Sequence, residues 1–261
     1  MAAIATEKGY GLRTSSIVVG CLFLCATLFF IAGQELTSAA FRTSDLNSVR
    51  NQKQQVVFGA LLILADGFAV VFIALLLFPL LSRQNSVMAL GYVALRLTEM
   101  TAVMLYALIP LCMLSIAAVS NNSKEEVSST ALTTLAEVLG SLRQSGLIMV
   151  YLSSGCAGLT VSAVLWTSQL VPRWLSAFGL VGYTVFTLGS ALDLFGVVDI
   201  NGTSGAYFLA LGGLWEVVAP LWLCFKGFDK SAAAALGLVS REPGEEGEEA
   251  GRSEQELLHG M

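Results

Sequence analysis

The chain has 261 residues, of which 55% are hydrophobic and only 13% charged, with a mean hydropathy of +0.73. A soluble domain carries about 25% charged residues, so this chain lacks the polar surface needed to face water on all sides, and lipid is the implied solvent. The formal charge of −5 resides in residues 241–261, where seven glutamates oppose Arg241 and Arg252; the chain before them is neutral and offers no basic patch for nucleic acid.

From the amino terminus onward, six apolar stretches are long enough to cross a hydrocarbon core of about 30 Å, which takes roughly 20 helical residues. They cover about 16–32, 56–81, 87–119, 146–167, 174–198 and 206–225. The first follows Lys8 and Arg13, as a leader would. Too few apolar residues separate Arg13 from Cys21, however, and the run continues to Ala32, so a retained span is expected. Between the third and fourth stretches, Ser123 and Glu126 form a capping box. Val127, Ala131, Leu135, Val138 and Leu142 then keep helical spacing, which predicts an amphipathic helix on the outer face leading into span four.

The expected fold is all-α: a bundle of six transmembrane helices over residues 1–228, followed by an acidic, aromatic-free tail over 229–261 that reads as disordered. No internal repeat supports an inverted-repeat transporter. Lys8, Arg13, Arg83, Arg173, Lys226, Lys230, Arg241 and Arg252 fall on one side of such a bundle. Arg42, Arg50, Lys53, Lys124 and Arg143 fall on the other. This asymmetry predicts cytoplasmic termini in a cell membrane. Trp166, Trp174 and Trp222 sit where interfacial anchors belong, and the sequons at Asn121 and Asn201 fall on the external side.

Cofactor and metal chemistry find little support. The five cysteines (Cys21, Cys25, Cys112, Cys156, Cys224) all lie in apolar runs without a C-x-x-C pair, so neither a disulfide framework nor a zinc site is indicated. The single histidine, His259, lies in the polar tail, which leaves no imidazole among the helices for haem, zinc or a serine–histidine dyad. No cofactor and no metal are expected.

The charged residues inside the apolar runs are the candidate site. Glu216 lies near the middle of span six. An acidic side chain there costs about 2.5 kcal/mol or more to insert, so it should face the bundle interior. Pro220, four residues on, lacks the N–H that would pair with the Glu216 carbonyl. Asp66 lies deep in span two beside Gly67, and Asp193 near the external end of span five. Arg96 and Glu99, three apart, are neighbours on one helix face. Span three is longer than the bilayer is thick, so the pair is either buried or interfacial, depending on which end protrudes. For Glu216 the choice is between a cation, proton or amine site and a helix-packing hydrogen bond.

The order of these features resembles a family of bacterial and archaeal membrane proteins known as domain of unknown function 4386, from about Arg13 to Phe228. The matching stretches include the Asp66 helix followed by "LFPLL" and "ALRLTEM" with Arg96 and Glu99. More specific are "LVPRWLSAFGLVGY", with Pro172, Arg173 and Trp174, and "WEVVAPLWLCFKGF", with Glu216, Trp222, Lys226, Gly227 and Phe228. The resemblance implies six helices in a cell membrane and supplies no activity.

Three function classes follow. A small transporter or ligand-binding bundle would use Glu216, Arg96, Glu99 and Asp66 around a small molecule or ion. A regulator or assembly partner, joined to another protein or to a second copy, would use the same residues as packing glue. An intramembrane aspartyl protease is disfavoured, because "LADGF" is not Gly-x-Gly-Asp and Asp66 and Asp193 fall at different depths.

Overall fold

A computed structural model describes residues 11–42, 46–122, 126–200 and 202–238. Among these the chain is helical throughout, with no strand: α1 (Leu12–Ser38), a 3-10 turn (Ala39–Phe41), a short α2 (Leu46–Asn51), α3 (Lys53–Gln84), α4 (Ser86–Asn122), α5 (Glu126–Ser168), α6 (Arg173–Leu194), α7 (Thr203–Phe225) and α8 (Lys230–Ala235). Six of these helices are long and apolar enough to cross a membrane. The protein is a multi-pass membrane protein.

Each long helix packs against its neighbours in the chain, and α7 returns to pack against α1. The result is a closed ring of antiparallel spans. Helices are the natural solution here, because in hydrocarbon every backbone N–H and C=O needs a partner within its own segment. Small polar side chains follow the same rule by bonding back to their own helix. Thr27 donates to the Phe23 carbonyl, Thr187 to Tyr183 and Ser190 to Phe186, at 3.1, 2.7 and 2.9 Å.

Ring closure depends on close approach. A Cβ added to Gly33 of α1 would lie 2.8 Å from the Gly59 carbonyl oxygen of α3, and one at Gly59 would lie 3.0 Å from the Gly33 carbonyl. The two backbones touch where side chains would hold them apart. Inside the ring, edge-to-face and tilted aromatic contacts run from Phe23 through Trp215, Tyr183, Phe186, Tyr151 and Phe30 to Tyr106. Outside it, Phe58, Leu61, Phe68, Phe72 and Leu75 leave one face of α3 apolar and exposed, as a lipid-facing surface requires.

The elements add to the sequence reading in three places. The helix expected to lead into span four is continuous with it: α5 runs unbroken from Glu126 to Ser168. Its expected apolar stripe, Leu135, Val138 and Leu142, is exposed, while Leu139 and Ala136 turn towards Met113, Ala117 and Val56. The capping serine, Ser123, lies outside the described residues. Span five stops at Leu194 instead of residue 198, because Gly196 at φ +69° turns the chain away. Residues 229–238, grouped by composition with the tail, hold α8, whose Ala233 is fully buried in the main core. Residues 239–261 lie outside the described part of the chain.

Candidate functional site

α4 carries Tyr92, Arg96 and Glu99 at positions four and three residues apart, which one helical face brings together. The Arg96 Nη1 donates to Glu99 Oε2 at 2.7 Å, and its Nε donates to the Tyr92 hydroxyl at 3.2 Å. Arg96 is 2% and Glu99 4% exposed, so the pair is buried among the helices of the bundle. The guanidinium lies 5.4 Å from the Tyr92 ring centre and 5.7 Å from that of Phe23 on α1, within cation–π range. Its Nη2 has no hydrogen-bond partner among the described residues.

Two more carboxyl groups approach this pair from other helices. Asp66, 6% exposed, comes from α3, and Gly67 beside it lets Met100 and Val103 of α4 pack against the α3 backbone. Glu216, half-buried, comes from α7 and accepts a hydrogen bond from the Tyr183 hydroxyl of α6 at 3.4 Å. Thr27 of α1 also faces the Glu216 carboxyl. Asp66, Glu99, Glu216 and Arg96 lie within electrostatic range of one another. Four of the five sequence candidates thus lie in one electrostatically connected group, in which Glu99 is the carboxyl group bonded to the Arg96 guanidinium. α7 stays helical across Pro220, whose carbonyl oxygen packs against Gly20 of α1.

Asp193 does not join them. It stands ten residues beyond Tyr183 on α6, about 15 Å along the helix. Its carboxylate accepts the Ile200 N–H at 3.2 Å and closes the turn after the helix.

Sequence reasoning missed a second polar group, nearer the end of the bundle where α1 and α6 finish. The Tyr106 hydroxyl donates to Gln34 Oε1 at 2.7 Å, and Gln34 Nε2 donates to the Tyr151 hydroxyl at 3.4 Å. Arg143 donates to Thr37 Oγ1 at 3.0 Å and to the Gln34 carbonyl at 3.3 Å. Its guanidinium also lies 4.8 Å from the Phe41 and 5.2 Å from the Tyr106 ring centres. Counted above only for its side of the bundle, Arg143 is a half-buried residue within α5. Tyr183 and Tyr92 were also missed. A tyrosine in an apolar run signals either core or a polar handle, and spacing alone does not separate the two.

A family model for a domain of unknown function (DUF4386) matches residues 18–227. The chain belongs to the DUF4386 family. The match covers all six long helices in whole or in part and includes Asp66, Arg96, Glu99 and Glu216. No curated protein and no solved structure matches. Among the described residues no group of three or more histidine, cysteine, aspartate or glutamate side chains is arranged to hold a metal ion.

Proposed function

We propose that this DUF4386 protein holds an intramembrane proton site, built from Glu216, Glu99 and Asp66 near Arg96, in a small proton-linked transporter or ligand-binding bundle of the cell membrane. The observation that carries this reading is the charge imbalance. Three carboxyl groups, from α3, α4 and α7, lie within electrostatic range of one guanidinium that is already paired with Glu99. A buried excess of negative charge is too costly to stand alone, so protons or a bound cation must offset it. Glu216 is the member best suited to exchange, because it is less buried than Asp66 or Glu99 and has a hydroxyl, not a cation, as its hydrogen-bond partner.

The test is a flux measurement on proteoliposomes containing a pH-sensitive dye. An imposed pH step should decay several-fold faster with the native protein than with a well-folded Glu216→Gln variant. Sodium or potassium gradients in place of the pH step separate proton from metal-cation coupling. Equal decay for native protein and variant, in every gradient, rules the reading out.

A second reading is a non-catalytic regulator or assembly partner. It is supported by the tight seam between α5 and α6, where Gly155 and Gly158 leave room for Thr187 and the Tyr183 ring. Under that reading Glu216→Gln lowers thermal stability and leaves all fluxes at the background of empty vesicles.

A further inference from the structure

The two stretches that most specifically carry the family resemblance meet at the end of the bundle where α5, α7 and α8 lie. The loop between α5 and α6 and the segment joining α7 to α8 enclose a cleft of about 900 Å³, whose lining includes Pro172, Arg173, Trp222, Lys226, Gly227 and Lys230. That volume lies within the range of small-molecule sites, about 300–1,000 Å³. The intramembrane carboxylates use none of these residues.

The cleft is held in shape by its backbone. The Asp229 N–H donates to the Leu170 carbonyl at 2.9 Å and ties the two loops together. Gly227, at φ +81°, closes α7 with its N–H on the Trp222 carbonyl. Gln169, which also lines the cleft, is the one non-glycine residue at positive φ among the described residues, at +54°. L-residues avoid that region, and such conformations gather at sites where function fixes the chain.

The chemistry of the lining is cationic. Arg173, Lys226 and Lys230 are exposed, and among the described residues no ion pair engages them. Arg13, the other cation nearby, is committed to the Cys224 and Phe225 carbonyls at the end of α7. One carboxylate, Asp229, lines the same cleft. It is engaged by α8: the Ser231 hydroxyl and the Ala232 N–H both donate to it and hold it below the usual carboxylate range. Three unpaired cations thus face one committed anion. Trp174 and Trp222, edge to face at 5.7 Å, place this cleft at the depth where tryptophan rings meet lipid headgroups.

We propose that this cleft binds the phosphate of an anionic phospholipid headgroup, with Arg173, Lys226 and Lys230 as its cations and Trp222 against the glycerol end. A free phosphate would offer the same anion from water, and the experiment separates the two sources.

Full-length protein is equilibrated in vesicles of nine parts phosphatidylcholine to one part phosphatidylglycerol. It is then extracted into neutral detergent and examined by native mass spectrometry. The native protein should retain one phosphatidylglycerol in strong preference to phosphatidylcholine. Single changes Arg173→Gln, Lys226→Gln and Lys230→Gln should each weaken retention about five-fold, the effect expected of one interfacial cation. The triple change should abolish the preference, while the charge-preserving Arg173→Lys and Lys226→Arg variants keep it. Arg83→Gln, which removes an exposed cation outside the cleft, should change nothing. No preference for phosphatidylglycerol, or a preference that survives the triple change, overturns the proposal. Displacement of the retained lipid by millimolar inorganic phosphate assigns the cleft to a soluble anion and overturns the lipid assignment.

Discussion

Arg96 is fully buried and touches groups from more than one helix, so it sets the electrostatics of the interior. Removing water from both charges of an ion pair is expensive. Such a pair is therefore weak evidence of net stability but a strong constraint on its partners. Arg96→Met should destabilise the protein by about 3–5 kcal/mol, because Glu99 would be left buried without its cation. The double variant Arg96→Met with Glu99→Met should recover much of that loss. Thermal unfolding of the purified proteins in one detergent measures both; equal losses for the single and double variants would show that the pair is not coupled. Arg96, Glu99, Asp66 and Glu216 were legible in the sequence because each is an isolated charge in an apolar run, where the membrane penalises anything unpartnered. Their convergence was not legible, since it depends on the rotation of three helices about their own axes.

The seam between α1 and α7 determines whether the ring of helices is closed. Gly20 makes room for α7, since a Cβ there would lie 2.7 Å from the Pro220 carbonyl oxygen and 2.6 Å from the Cys224 sulfur. The Cys21 and Cys224 sulfurs consequently come within 3.9 Å of each other, although 203 residues separate them in the chain. A disulfide spans about 2.05 Å, so a shift of less than 2 Å would join them. Mild oxidation of the protein in membranes should convert these two thiols into an intramolecular disulfide, with two electrons passing to the oxidant and two protons to water. After cleavage of a connecting loop, α1 and α7 should then migrate together on a non-reducing gel and separate on reduction. Cys25→Ser should leave this unchanged and Cys21→Ser should abolish it. Failure to cross-link while both thiols still react with an alkylating reagent would place α1 and α7 apart. In the sequence, nothing paired Cys21 with any other cysteine. The contact across the ring is a product of closure alone.

For the whole molecule, an even number of spans places the amino and carboxyl termini on the same side of the membrane. The excess of Lys and Arg beside Arg13, Arg83, Arg173 and Lys226 predicts that this side faces the cytoplasm. Fluorescent reporters that mature only in the cytoplasm, fused separately to each end, should both fluoresce. One bright and one dark fusion would require an odd number of crossings and a different bundle. The same end of the bundle carries the cationic cleft, while Arg143 and Gln34 form their network towards the other. The protein therefore presents different chemistry to its two sides, with the carboxylate cluster between them.

The number of spans, the all-α class and the identity of the intramembrane charges follow from the sequence alone. A bilayer imposes one local rule on every segment, an apolar run of sufficient length, and that rule can be read window by window. Only the tertiary structure decided that Arg96 pairs with Glu99 inside the bundle while Glu216 meets the Tyr183 hydroxyl, that Asp193 serves a turn, and that Arg143 bonds across to α1 from within α5. Which face of each helix turns inward is set by packing with its neighbours, through contacts such as Gly33 on Gly59. Those contacts join residues from different spans, where no local pattern can record them.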